Sequence, residues 1–133
     1  MHHASDWAAP LTKAQVPAVI AKLKQQLGKP YVWDGKGPNG FDCSGLMQYA
    51  IKQVTGRNIG AFTVTQEAAG TPVALNALQP GDLLFWGPKN ASWHVAMYIG
   101  NNQYLNALRP GTNIKIDPIS RAFMPSFAVR VFH

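Results

Sequence analysis

An α+β domain, with N-terminal helices packed on one face of an antiparallel sheet of five to six strands, is the fold class that this sequence predicts. Three observations predict it. Apolar residues recur at helical spacing in the first part of the chain, short β-like runs fill the second part, and tight-turn residues join those runs.

The elements follow in order. Val16, Val19, Ile20, Leu23 and Leu27 predict a helix over 16–27, with Pro17 tolerated in its first turn and Gly28 as the stop. The next stretch, "GKPYVWDGKGPNG", is dense in glycine and proline and reads as a loop. Cys43, Leu46, Met47, Ala50 and Val54 then stand at i, i+3, i+4, i+7 and i+11. That spacing predicts a helix over 43–55 with Asp42 as N-cap and Gly56 as terminator. A short helix is expected over 63–69. Beyond it, "QPGD" precedes "LLFW", "GPKNAS" precedes "WHVAMYI", "GNN" precedes "QYLNAL", "RPGTN" precedes "IKI", and "FAVRVF" closes the set. Residues 16–133 are expected to form one domain, preceded by an N-terminal extension over 1–15 whose Met1-His2-His3 opening reads as a tag-like remnant.

Composition narrows the function. A chain of 133 residues and 14.5 kDa supports one hydrophobic core, and 47% hydrophobic with 14% charged residues is the make-up of a folded domain. The net charge is +6, but the twelve Lys and Arg are scattered from Lys13 to Arg130 with no basic run. This argues against a nucleic-acid groove and for diffuse attraction to an anionic polymer. The single cysteine excludes an internal disulfide and any multi-cysteine metal site. His2, His3, His94 and His133 show no ligand spacing beyond the adjacent pair, so neither metal nor other cofactor is expected. No apolar segment approaches the roughly 20 residues of a spanning helix. No signal peptide is visible, so if the protein is exported its signal lies outside this chain.

The lone cysteine sits in "GFDCSGLMQYAIKQ" at the start of the second helix. A free cysteine is more often an inert core residue than a nucleophile. At a helix N-terminus, however, unpaired N–H groups and the helix dipole favour a thiolate, and the same N–H groups can stabilise an oxyanion. Gly45 in the first helical turn carries a propensity penalty of up to about 1 kcal/mol, which points to the close approach of another backbone.

A nucleophile needs a base. Alternation in "WHVAMYI" puts His94, Ala96 and Tyr98 on one strand face. If Gly100-Asn101-Asn102 is a three-residue hairpin loop, Tyr98 pairs with Tyr104, and Asn106 falls diagonal to His94 on that face. A two-residue loop would separate them. With the expected parity, Asn106 accepts a hydrogen bond from one ring nitrogen and the other takes the thiol proton, giving a Cys-His-Asn triad.

The segments "PYVWDGKGPNGFDCSGL", "LQPGDLLFW", "HVAMYIGNNQYLNA" and "PSFAVRV" resemble, in order and spacing, the NlpC-type cysteine peptidases of bacterial cell walls, which have a papain-like fold. The resemblance covers about Gly28 to Phe132. It implies Cys43 as nucleophile, His94 as base and then acid, and Asn106 as the residue orienting His94. It further implies Tyr31 lining the cleft and donating to the reacting carbonyl, with Asp42 and Ser44 shaping substrate subsites. Two departures stand out. Family members commonly carry His where this chain has Asn106, and a frequent Leu-Pro-Arg-Thr is replaced here by "IGAFT", without the arginine.

The function implied is a peptidoglycan hydrolase that cuts stem peptides at a γ-D-glutamyl bond to a diamino acid through a thioester acyl-enzyme. Alternatives are an N-acetylmuramoyl-L-alanine amidase, a non-catalytic cell-wall-binding module, and acyl transfer to an amine. The expected partners are peptidoglycan stem peptides, with no nucleic acid and no membrane span. The expected state is a monomer, secreted or wall-associated.

Overall fold

The computed structural model describes residues 11–133. Residues 1–10, the larger part of the expected extension, lie outside the described residues. Residues 11–15 join the folded body: Leu11 is buried and bridges Phe132, and Lys13–Gln15 form a 3-10 turn leading into the first helix.

Helix α1 spans Val16–Lys24, with Pro17 in its first turn, and buries Val19 and Leu23 completely. It ends three residues before the expected position. Gln26 and Leu27 already donate to the carbonyls of Leu23 and Lys24, so the chain tightens into i−3 turns, and the Leu27 side chain stays exposed. Gly28 then leaves with φ +86°.

Helix α2 spans Cys43–Thr55, as its periodicity predicts. The Asp42 carboxylate accepts from the Gly45 N–H at 2.5 Å, and Gly56 closes the helix in the left-handed region at φ +76°. Leu46, Met47, Ala50 and Ile51 are fully buried beneath it. Helix α3 is the short Thr63–Glu67.

Six strands form one antiparallel sheet: β1 Thr71–Val73, β2 Leu83–Trp86, β3 His94–Gly100, β4 Gln103–Asn106, β5 Lys115–Pro118 and β6 Phe127–Arg130. Their spatial order is β1-β6-β2-β3-β4-β5. All five expected runs are strands. The sixth, β1, escapes periodicity because it is three residues long and contains Pro72, which an edge strand tolerates.

The sheet is covered on both faces. Leu83, Phe85, Val95, Met97, Leu105 and Val129 meet the helices, while Leu84, Trp86, Ala96, Tyr104 and Ala128 build a second, smaller core against Leu75, Leu78, Ile119 and Phe123. This explains why "LLFW" reads as a continuous apolar run and is buried throughout. Each such fully buried large side chain stabilises the fold by about 2 kcal/mol.

The β3–β4 hairpin differs in detail from expectation. Its turn is the two-residue Asn101-Asn102, with both residues at positive φ (53° and 61°), and Gly100 pairs with Gln103. A bulge between Tyr98 and Gly100 supplies the extra residue that a longer loop would have given. Tyr98 therefore still pairs with Tyr104, and the parity needed by His94 and Asn106 survives.

Candidate active site

The α2 N-terminus is fixed by main-chain packing. Gly45 lies so close to the preceding loop that a Cβ there would stand 2.0 Å from the Gly35 carbonyl oxygen, and the Asp42 N–H donates to that same oxygen at 2.9 Å. The close backbone approach expected from a glycine in this turn is thus the Gly35 loop. Gln66, fully buried on α3, donates to the carbonyls of Ser44 and Gly60 at 2.8 and 2.9 Å. Sequence reasoning missed Gln66, since a lone glutamine in a short helix gives no periodic signal. Cys43 is left 8% exposed.

The loop into β3 is anchored by α3. The Thr63 hydroxyl donates to the Ser92 carbonyl at 2.7 Å, and the Glu67 carboxylate accepts from the Ser92 hydroxyl and from the Asn90 N–H. His94 follows as the first residue of β3 and is 1% exposed, its ring packed 4.8 Å from that of Trp86 and flanked by Trp93 and Phe123. The ring thus lies with the second core, whereas Cys43 belongs to the helix-side core. They meet at the end of β3, beyond the last registered β3–β4 pair, Met97 with Leu105, where the Val95 N–H is offered to the sulfur. Cys43 there lies beside the His94–Asn106 pair.

His94 Nε2 and Asn106 Oδ1 are 3.0 Å apart in a fully buried contact. The carboxamide is held from its other end: Asn106 Nδ2 donates to Asp117 Oδ2 at 3.0 Å and to the Lys115 carbonyl at 3.3 Å. A carboxylate only accepts, so Asp117 must face the NH2 and the amide oxygen must face the ring. Nε2 then carries the proton. Nδ1, buried and without a hydrogen bond to any described residue, keeps its lone pair. Asp117 was not singled out from sequence, because "IKI" marks a strand but says nothing about which strand neighbour its next residue meets.

The electrostatics define the resting state. Burial drives the His94 pKa down to about 4, against the opposing pull of the Asn106 hydrogen bond and the Asp117 charge. Burial likewise pushes the Cys43 thiol up, although the N–H groups of Val95, Ser44 and Cys43 act in the opposite sense. The helix end therefore works in the expected direction but loses to desolvation, and the pair rests as thiol and neutral imidazole.

The remaining expected residues surround the thiol. Tyr31 is part-buried in the loop before α2; burial raises its hydroxyl pKa, helped by Cys43 and Asp42, so it stays a proton donor. Asp42 caps the helix, and burial lifts its carboxyl above the usual range against the Gly45 N–H bond. Ser44 is buried, and its hydroxyl donates to the Ala61 carbonyl at 2.8 Å. It thereby ties the departing "IGAFT" segment to the nucleophile's helix.

A thiol at a helix start, beside an imidazole on the first residue of a strand and a carboxamide orienting it, is the Cys-His-Asn arrangement of the papain-like fold class. The chain belongs to the NlpC/P60 family, whose profile matches residues 28–133. It is 47% identical over 112 residues to Protein P54 of Enterococcus faecium, covering 84% of this chain and 22% of that protein. It is 37% identical over 129 residues to the peptidoglycan endopeptidase RipA of Mycolicibacterium smegmatis, covering 87% of this chain and 26% of that protein. The crystal structure of the NlpC/p60 domain of the peptidoglycan hydrolase SagA superposes with a TM-score of 0.82 at 46% identity, covering 86% of this chain and 97% of that one. The chain thus spans about a quarter of the length of the two curated relatives. Among the described residues, no helix is long and apolar enough to cross a membrane.

Proposed function

We propose that this chain hydrolyses the peptide part of peptidoglycan, as a cysteine endopeptidase acting on stem peptides at a γ-D-glutamyl bond to a diamino acid. The observation that carries the reading is the 3.0 Å His94–Asn106 bond, which leaves Nδ1 unpartnered on a ring that lies near Cys43. The similarity to the peptidoglycan endopeptidase RipA and to the peptidoglycan hydrolase SagA supports the substrate class.

In the first step Nδ1 takes the thiol proton as the sulfur bonds to the carbonyl carbon, and the resulting oxyanion is met by the N–H groups at the α2 start and the Tyr31 hydroxyl. The carbon–nitrogen bond then breaks, the proton on Nδ1 passes to the leaving amine, and a thioester remains on Cys43. Water attacks the thioester with His94 again as base, and the sulfur leaves with the proton. Asp42 shapes the acyl-side subsite, and Ser44 contributes through the Ala61 carbonyl it holds. The +6 charge suits a polyanionic wall, and the setting that follows is secreted or wall-associated, with the protein acting as a monomer.

Digestion of purified peptidoglycan tests the proposal. Cys43→Ala is expected to lower clearing by roughly 10³-fold or more with folding intact. Unchanged clearing would replace the hydrolase by a binding module. Mass analysis of the fragments locates the bond: free peptides beginning with L-alanine would assign an amidase instead.

A further inference from the structure

A cavity of about 620 Å³ opens beside the His94 ring, lined by Trp93, Phe123, Tyr104, Arg109, Lys115 and Asp117 among others. Its volume falls within the range of small-ligand sites. Tyr31, Asp42 and Ser44, the residues around the thiol, do not line it. It is nevertheless continuous with the triad: the rings of Trp93 and Phe123 lie 6.1 and 6.3 Å from that of His94, and Asp117 holds the Asn106 amide.

Direction follows from the chemistry. The group that takes the thiol proton must hand it to the leaving amine, so the amine side of the scissile bond lies on the His94 side of the sulfur. The acyl side is then directed to the α2 end. The cavity on the His94 side is therefore in line with the departing fragment.

Its walls specify what that fragment carries. Trp93 is 59% exposed, a large apolar face left open next to a buried reactive ring. Lys115 Nζ lies 3.5 Å from Asp117 Oδ2, so these two charges offset one another. Arg109 contributes its main chain to a turn with Thr112, while its guanidinium makes no hydrogen bond or ion pair with a described residue. The cavity thus has an aromatic wall and one uncompensated guanidinium, a fork that matches a carboxylate.

We propose that this cavity is the leaving-group subsite and that it recognises a short peptide with a free C-terminal carboxylate, bound by Arg109 while the preceding aliphatic side chain lies on Trp93. The inference rests on the hydrolase reading for its direction, but the binding it asserts is measurable without turnover.

The test uses Cys43→Ala protein, which cannot acylate, with L-lysyl-D-alanine and its C-terminal amide as probes, followed by heteronuclear NMR. The acid is expected to shift the Trp93 indole N–H and the Arg109 and Lys115 amides while leaving Asp42 and Ser44 unmoved. The amide should bind at least about tenfold more weakly. Adding Arg109→Gln should remove that preference, while Arg109→Lys should restore part of it. Equal binding of acid and amide, shifts centred on Asp42 and Ser44, or no saturable shift at Trp93 would each overturn the proposal. A wild-type protein that fails to clear peptidoglycan while the acid still binds through Arg109 would overturn the hydrolase reading and leave the carboxylate site standing.

Discussion

The two halves of the triad are held in different ways. At the α2 start, the sulfur is placed by contacts that grip the helix main chain: Gly45 against Gly35, the Asp42 carboxylate on the Gly45 N–H, and the Gln66 amide on the Ser44 carbonyl. Across the cleft, the base is placed by a chain of side chains, from Asp117 through Asn106 to the ring. The first arrangement fixes a position and the second fixes an orientation and a tautomer. Damage to the first should therefore appear as lost stability, and damage to the second as lost rate.

The largest effect is expected at Gly45. A Cβ 2.0 Å from the Gly35 oxygen cannot be relieved by rotating a side chain, since both partners are backbone. Gly45→Ala is expected to cost roughly 3–5 kcal/mol in denaturant unfolding. A fully stable variant would show that the helix end is not held as described, and the contrast between the two halves would collapse.

The next effect belongs to the buried base. His94 stays neutral in the folded protein down to about pH 4, whereas in the unfolded chain it protonates near 6.5. Between those values the unfolded state binds more protons, so stability rises with pH and falls on acidification. About 3 kcal/mol should be lost from this residue as pH drops from 6.5 to 4. Urea midpoints across that range, compared with those of His94→Gln, isolate the contribution; parallel curves would refute it.

The smallest effect separates orientation from position most sharply. Asp117→Asn leaves the volume intact but lets the Asn106 amide turn over, and it removes a charge that favours the protonated ring. Turnover of peptidoglycan fragments should fall about tenfold, equivalent to about 1.4 kcal/mol. The acid limb of the pH–rate profile should move to lower pH, since His94 protonates less readily without the carboxylate. Stability should change by less than about 0.5 kcal/mol.

The same division decides what was legible in the sequence. The α2 end could be read because its determinants are local: Asp42, Cys43 and Gly45 lie within one turn, and the stripe from Leu46 to Ala50 fixes the helix phase. The His94–Asn106 contact was legible because hairpin parity links residues 12 apart, and it survived an error in loop length because the bulge restored the count. Asp117 and Gln66 were not legible. Their partners depend on which strand lies beside β4 and where a five-residue helix docks, and neither property leaves a pattern in one sequence. The sign of the thiol's pKa shift was missed for a related reason: a helix terminus is visible in a sequence, but the depth at which it is buried is not.

That depth has a consequence for handling the protein and for its lifetime. Alkylating agents and peroxide act on ionised sulfur, and here burial suppresses that ionisation. A sulfur kept as the neutral thiol by its depth in the fold is thereby shielded from spurious chemistry.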